Sequence, residues 1–199
     1  MIRTTQSSSH YQFIGLEITP TDGAFVLQLV QLGDGNETSL SQLPNDFVFD
    51  RCYLHGDPTV GSRRGVAMNA PNITIKNSYL SDFKLVGPDS QALASWNGPG
   101  PLNITNNYLE GAGENVLIGG QDPTIPNLVP TGITIRHNYF SKPLSWRVGD
   151  PAYQGTHWTV KNLLEFKNAR QIVVDGNSFE NNWADAQAGF AILFTPRNQ

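Results

Sequence analysis

The chain has 199 residues, a formal net charge of −4 and only 15% charged residues. That length suits one domain, the weak acidic balance excludes a nucleic-acid binder working through a basic face, and the sparse charge excludes an acidic disordered chain. No run approaches the roughly 18 consecutive apolar residues of a membrane-spanning helix, and the lone Cys52 excludes an intramolecular disulfide and reads as a small buried hydrophobe.

Residues 1–13, MIRTTQSSSHYQF, lack the apolar core of a secretory signal. An eight-residue phrase then recurs along the chain. YQFIGLEI (11–18) is a degenerate copy; FVFDRCYL (47–54), ITIKNSYL (73–80), LNITNNYL (102–109), ITIRHNYF (133–140) and IVVDGNSF (172–179) are fuller ones. Phe47, Ile73, Leu102, Ile133 and Ile172 form one apolar column, and Phe49, Ile75, Ile104, Ile135 and Val174 form another two residues later. That spacing is strand periodicity with one face buried. Two polar or Gly residues follow, such as Asn77-Ser78, Asn106-Asn107 and Gly176-Asn177, where Asn and Gly tolerate the left-handed backbone of a sharp bend. Leu54, Leu80, Leu109, Phe140 and Phe179 close each phrase as a third apolar column. Stacked amides at Asn107, Asn138 and Asn177, with Ser78 and Cys52 in the same column, are placed to bond one another and the backbone.

Between phrases, GVAMNA (65–70), ENVLIGG (114–120) and NLLEFKN (162–168) read as a further strand preceding each copy, and FAILFT (190–195) opens another coil. Pro and Gly interrupt the windows of helix length. Phrases 26, 29, 31 and 39 residues apart are too widely spaced for hairpins and suit one solenoid coil per copy. The expected fold is all-β: a right-handed parallel β-helix of about six coils over residues 1–199, with no evident end caps, as in a piece of a longer protein.

These strand–Asn bend–strand coils resemble the right-handed parallel β-helix of the pectate-lyase superfamily. NNYLEGAGENVLIGG, HWTVKNLLEFKN and VVDGNSFENNWADAQAGFAILFTPRNQ also resemble bacterial β-helix repeat proteins. The resemblance spans residues 11–199 and implies a secreted or cell-surface protein that acts on a polysaccharide or oligosaccharide, held in a groove beside the sheet built by the strands preceding each phrase. Fold alone does not fix the activity.

Two insertions flank that sheet: GGQDPTIPNLVP (119–130) and SKPLSWRVGDPAYQGTHW (141–158). A loop as long as the second is functional or disordered, and its aromatics favour order. A polysaccharide lyase removes the proton α to a uronate carboxylate and needs basic groups with cationic side chains or Ca2+ to neutralise that carboxylate. Lys161, Lys167, Arg147 and His157 are the catalytic candidates; Glu165, Trp146, Lys142, Asp150 and Trp158 are the substrate-binding candidates; Glu114 and Asn115 are the candidate Ca2+ ligands, by a faint likeness to the acidic segment of alginate-lyase-like β-helices. That segment carries two acids on alternate positions, and here only Glu114 is acidic. A glycoside hydrolase needs paired carboxylates about 5–9.5 Å apart, and Asp122 and Asp150 are separate loop residues. Lyase chemistry therefore leads. The alternatives are a hydrolase and a non-catalytic glycan-binding or structural solenoid, adhesin- or tailspike-like. The outward Tyr53, Tyr79, Tyr108 and Tyr139 read either as an outer ladder or as a platform for pyranose rings.

Overall fold

The computed structural model describes residues 1–197. It is a right-handed parallel β-helix in which each coil contributes one strand to each of three sheets. Sheet I holds seven strands: β1 (Ile2–Arg3), β4 (Val30–Leu32), β7 (Arg64–Met68), β10 (Gln91–Ser95), β13 (Glu114–Ile118), β16 (Leu164–Phe166) and β19 (Ile192–Phe194). Sheet II holds six: β2 (Ser9–Ile14), β5 (Asn45–Asp50), β8 (Ile73–Lys76), β11 (Leu102–Thr105), β14 (Thr131–Arg136) and β17 (Arg170–Asp175). Sheet III holds β3 (Glu17–Ile18), β6 (Tyr53–His55), β9 (Tyr79–Phe83), β12 (Tyr108–Gly111), β15 (Tyr139–Ser141) and β18 (Ser178–Glu180). Six coils are complete, and β19 pairs with β16 as the first strand of a further one.

Each repeated phrase is a sheet II strand, a bend and a sheet III strand. Pairing follows the sequence columns: Ile73 lies opposite Phe47 and Leu102, and Ile133 lies opposite Leu102 and Ile172. A one-residue slip would turn every apolar side chain outward. The inward columns are accordingly dry: Phe49, Ile75, Ile104, Ile135, Leu54, Leu80 and Leu109 are buried in one continuous core. In the last complete coil the sheet II column opens, with Val174 40% exposed, and on β19 of sheet I Phe194 is 66% exposed.

The two bend residues divide the work. The first takes the left-handed conformation in coil after coil, with φ of 66° at Gly15, 54° at Arg51 and Asn77, 56° at Asn106, 55° at His137 and 63° at Gly176. At Gly176 a Cβ would lie 2.5 Å from Nδ1 of His137, so the glycine also makes room for the ring of the coil before it. The second residue bonds between coils. The backbone N–H groups of Ser78, Asn107 and Asn138 donate to the side-chain oxygens of Asn107, Asn138 and Asn177 at 2.9, 3.0 and 2.9 Å. The amide nitrogens of Asn107, Asn138 and Asn177 donate to the carbonyls of Ile75, Ile104 and Ile135, each at 2.8 Å. Ser78 serves Cys52 in the same way, its hydroxyl accepting the Cys52 N–H at 3.0 Å. Bend groups that the sheet ladders do not pair are thereby satisfied internally.

The outward neighbours pair as their charges require: Lys76 lies 3.9 Å from Asp50, and Arg136 lies 3.5 Å from Asp175. The Tyr column is exposed at Tyr53, Tyr79 and Tyr139. Tyr79 and Tyr108 stack with centroids 4.1 Å apart and planes 6° apart, so these rings cover each other's faces and offer solvent their edges and hydroxyls.

Candidate functional site

The strands preceding each phrase build sheet I, and its outer face is where neighbouring coils carry different residues. One outward row runs Ala67, Ala94, Leu117, Glu165, Leu193; beside it runs Arg64, Gln91, Glu114. β10 (QALAS) completes the sheet between β7 and β13. Its small outward Ala94 and the neighbouring Ala67 leave space that Trp96 partly fills. Trp96 is seated by a bond from its backbone N–H to Oδ1 of Asn69 (3.0 Å) and by close packing of Gly35 on its indole.

A cleft of about 220 Å³ lies over this face. Arg63, Arg64, Asp89 and Gln91 line it from the first strands, Ala94, Leu117 and Trp96 from the middle, and Gly119, Gly120 and Gln121 from the insertion 119–130; Lys167 and Arg197 complete it. The insertion is anchored by Thr124, whose N–H donates to Asn97 at 3.0 Å and whose hydroxyl donates to the Glu37 carbonyl at 2.7 Å. Arg64 lies over the Trp96 ring at 4.9 Å, and its Nε donates to Gln91 at 3.0 Å. Gln91 in turn donates to Oε2 of Glu114 at 2.7 Å. Burial, seconded by the adjacent Arg63, pushes the Arg64 guanidinium down to about 10. Burial, seconded by the charge of Asp89, pushes the fully buried Glu114 carboxyl up to about 7. The second oxygen of Glu114, Oε1, has no hydrogen-bond partner among the described residues.

Of the residues singled out in the sequence, Lys167 lines the cleft and Glu165 lies beside it. Glu165 is 1% exposed and its carboxylate is occupied: Thr195 donates to it at 2.7 Å, Asn162 at 3.0 Å, and the Lys167 ammonium sits at 3.4 Å. Lys161 reaches the cleft indirectly through an ion pair with Asp89 at 2.5 Å.

The loop 141–158 does not wall the cleft. It folds back over the corner between sheets III and I, where Trp146 and Trp158 are buried against Ala112 and Val160. The ammonium of Lys84, held by Asp82 at 2.6 Å, lies 5.4 and 5.2 Å from the two indole centroids and clamps the loop down. Asp150 caps a turn by accepting the Ala152 N–H at 2.9 Å. His157 is exposed and pairs with Asp185 at 2.6 Å, and Arg147 is exposed on the loop. Arg147, His157, Trp146, Trp158 and Asp150 therefore stand apart from the cleft.

Lys142 is fully buried. Its ammonium bonds the Gly111, Ala112 and Gly113 carbonyls and Oδ1 of Asn115 at 2.5–3.2 Å. Burial pushes its pKa down, but four oxygens with no donor among them favour the ammonium, which offers three hydrogens where the amine offers two. Glu114 and Asn115 do not fit a Ca2+ ion, which takes six to eight oxygens. As consecutive strand residues they face opposite ways. The Asn115 side chain is spent inside, its nitrogen donating to Leu109 and Ser141 and its oxygen accepting Lys142. Glu114 offers one free oxygen, and among the described residues no three His, Cys, Asp or Glu surround a common point.

Sequence reasoning passed over Arg63, Arg64, Asp89, Gln91 and Arg197. The signal for the first two was available: an Arg pair directly before GVAMNA belongs to the same sheet as NLLEFKN. No family model, curated protein or solved structure matches this chain.

Proposed function

We propose that the cleft on sheet I binds an acidic polysaccharide and cleaves it by β-elimination. The observation that carries this reading is the cleft's charge: among the described residues, Arg63, Arg64, Lys167 and Arg197 line it with one side-chain carboxylate, Asp89. An excess of cations in a partly enclosed, low-dielectric site suits a ligand that brings its own carboxylates. Lys167 and Arg197 neutralise the uronate carboxylate, which acidifies the proton α to it. The neutral form of Arg64, reached by loss of one guanidinium proton to solvent and favoured by burial, takes that proton and returns to the cation. The C–O bond β to the carboxylate then breaks, a C=C bond forms, and the leaving oxygen is protonated from solvent. Hydrolysis is the poorer fit, because Glu165 is bound up internally and Asp89 is paired with Lys161. The resemblance of the coils to the pectate-lyase superfamily supports the same face of the fold.

A non-catalytic glycan-binding or structural solenoid is the second reading. It is favoured by the placement of Arg147 and His157 away from the cleft and by the ion pairs that occupy Lys161 and Lys167. Incubation with a panel of uronate polymers, followed by ultraviolet absorbance of the unsaturated product, separates the two. The lyase reading expects product from at least one polymer, lost in Arg64→Gln. Binding without product supports the second reading. If no polymer binds, and Lys167→Ala changes nothing, both fail.

A further inference from the structure

Behind the lining of the cationic cleft lies a buried acid. Glu114 is fully buried on β13, at the end of the row that runs Arg64, Gln91, Glu114 across three coils. Arg64 donates to Gln91 at 3.0 Å and Gln91 donates to Oε2 of Glu114 at 2.7 Å, so a single amide links the acid to a cation that lines the cleft. Oε1 of Glu114 has no partner among the described residues. The charged groups around it are engaged elsewhere. Asp89, on the coil before, pairs with Lys161 at 2.5 Å. Glu165, on β16, has Lys167 at 3.4 Å. Lys142, on the loop after β15, is held by the 111–113 carbonyls and Asn115. An ionised Glu114 therefore faces two other carboxylates, Asp89 and Glu165, and its remaining cation, Arg64, stands one amide away.

Resting on the reading of the cleft as an acidic-saccharide site, we infer that the proton on Glu114 regulates that site: the protonated chain holds an acidic ligand and the ionised chain releases it. Uronate carboxylates stay ionised through the neutral range, so the ligand's charge does not change. The cleft's charge does. Loss of the Glu114 proton adds one negative charge behind Arg64, where water screens poorly. That charge repels the ligand's carboxylate, and through Gln91 it draws the Arg64 guanidinium toward the strand and away from the ligand. None of the four histidines lines the cleft, so no imidazole there titrates in the same range. Burial, seconded by the charge of Asp89, sets the Glu114 transition at about 7. Linkage supplies a second signature: a ligand that prefers the protonated form must draw a proton onto Glu114 as it binds.

The test is calorimetric binding of a soluble oligouronate to the whole chain, wild type and Glu114→Gln, on either side of the transition at about pH 5.5 and about pH 8. Repeating the wild-type titration near neutrality in two buffers of different ionisation enthalpy reads proton uptake. Wild type should bind about three- to tenfold more tightly at the lower pH, the range one buried unit charge gives across several ångströms. It should also take up a fraction of a proton per ligand. Glu114→Gln keeps the shape and removes the charge, so it should bind tightly at both pH values with no uptake. Equal wild-type affinities at the two pH values, or a Glu114→Gln variant that keeps the dependence, overturn the switch while leaving the acidic-saccharide cleft standing. Failure of the oligouronate to bind wild type at either pH overturns the two together.

Discussion

Replacing Asn138 tests the internal ladder where it is best formed. Its side chain is 2% exposed. Its oxygen accepts the backbone and side-chain N–H groups of Asn107, both at 3.0 Å, and its nitrogen donates to the Ile104 carbonyl at 2.8 Å and to Asn177 at 2.9 Å. Leu has nearly the same volume and fills the site, but it strands the Asn107 N–H and the Ile104 carbonyl where water does not reach. At about 1–3 kcal/mol for each of the two stranded groups, Asn138→Leu should destabilise by about 2–6 kcal/mol. At about 2–4 °C per kcal/mol for a chain of this length, Tm should fall by about 4–24 °C. The chain carries its own control in the same column: the Ser78 hydroxyl accepts the Cys52 N–H at 3.0 Å and donates to the Lys76 carbonyl at 2.7 Å. Asn138→Ser keeps an acceptor for Asn107 and should lose less than half as much. Calorimetric melting of the three proteins checks this. A Leu variant that melts like wild type, or a Ser variant as damaged as Leu, would refute the ladder as a source of stability.

Two further predictions concern buried charge. Burial raises the folded-state pKa of Glu114 from 4.5 to about 7, so between those values the folded chain holds more proton than the unfolded one. Its contribution is fully present below the unfolded pKa and is lost as pH rises through the folded one. The neutral Glu114→Gln should therefore gain on wild type as pH rises from 5 to 8, by up to about 2–3 kcal/mol; a gap in Tm that stays constant across that range contradicts the assignment. Lys142→Met keeps the aliphatic stem but leaves the 111–113 carbonyls and Asn115 without the ammonium. It should destabilise by about 2–4 kcal/mol, and an unchanged urea midpoint would mean that those oxygens find other partners.

The repeat was legible because solenoid coils impose the same demand at the same position, so Ile73, Leu102 and Ile133 resemble one another for one physical reason. The division of the bend was less legible. Arg51 and His137 hold the left-handed position without Asn or Gly, because flanking strands paired on both sides over-determine their backbone. β10 was missed for the opposite reason: QALAS carries Ala where its neighbours carry larger residues, and its short pattern says little without the sheet around it. In the site, Lys167 and Glu165 were reached because the resemblance sets the saccharide beside the sheet to which NLLEFKN belongs. Lys142 was misjudged as a surface binder, since a Lys next to a Pro-containing loop gives no sign that a Gly-Ala-Gly turn one coil earlier aims its carbonyls at the ammonium. The loop 141–158 misled likewise: its tryptophans suggested a sugar site, but Lys84, far away in sequence, is what they pack against.

These outcomes share a cause that also locates the candidate site. Where a column repeats one residue type, each side chain is consumed by its own copies above and below: Asn107, Asn138 and Asn177 bond along the stack, and Tyr79 and Tyr108 cover each other. Such a column has little left for a ligand. Chemistry needs a column whose members differ, so that charge and polarity change from coil to coil. On sheet I the row Arg64, Gln91, Glu114 passes from base to amide to acid in three coils, and the row Ala94, Leu117, Glu165, Leu193 changes size and polarity at each step. The cleft lies over those irregular rows, bounded by an insertion that interrupts the repeat. In a solenoid, then, regularity of a column reports stability, and its breakdown on an exposed face marks where binding can be built.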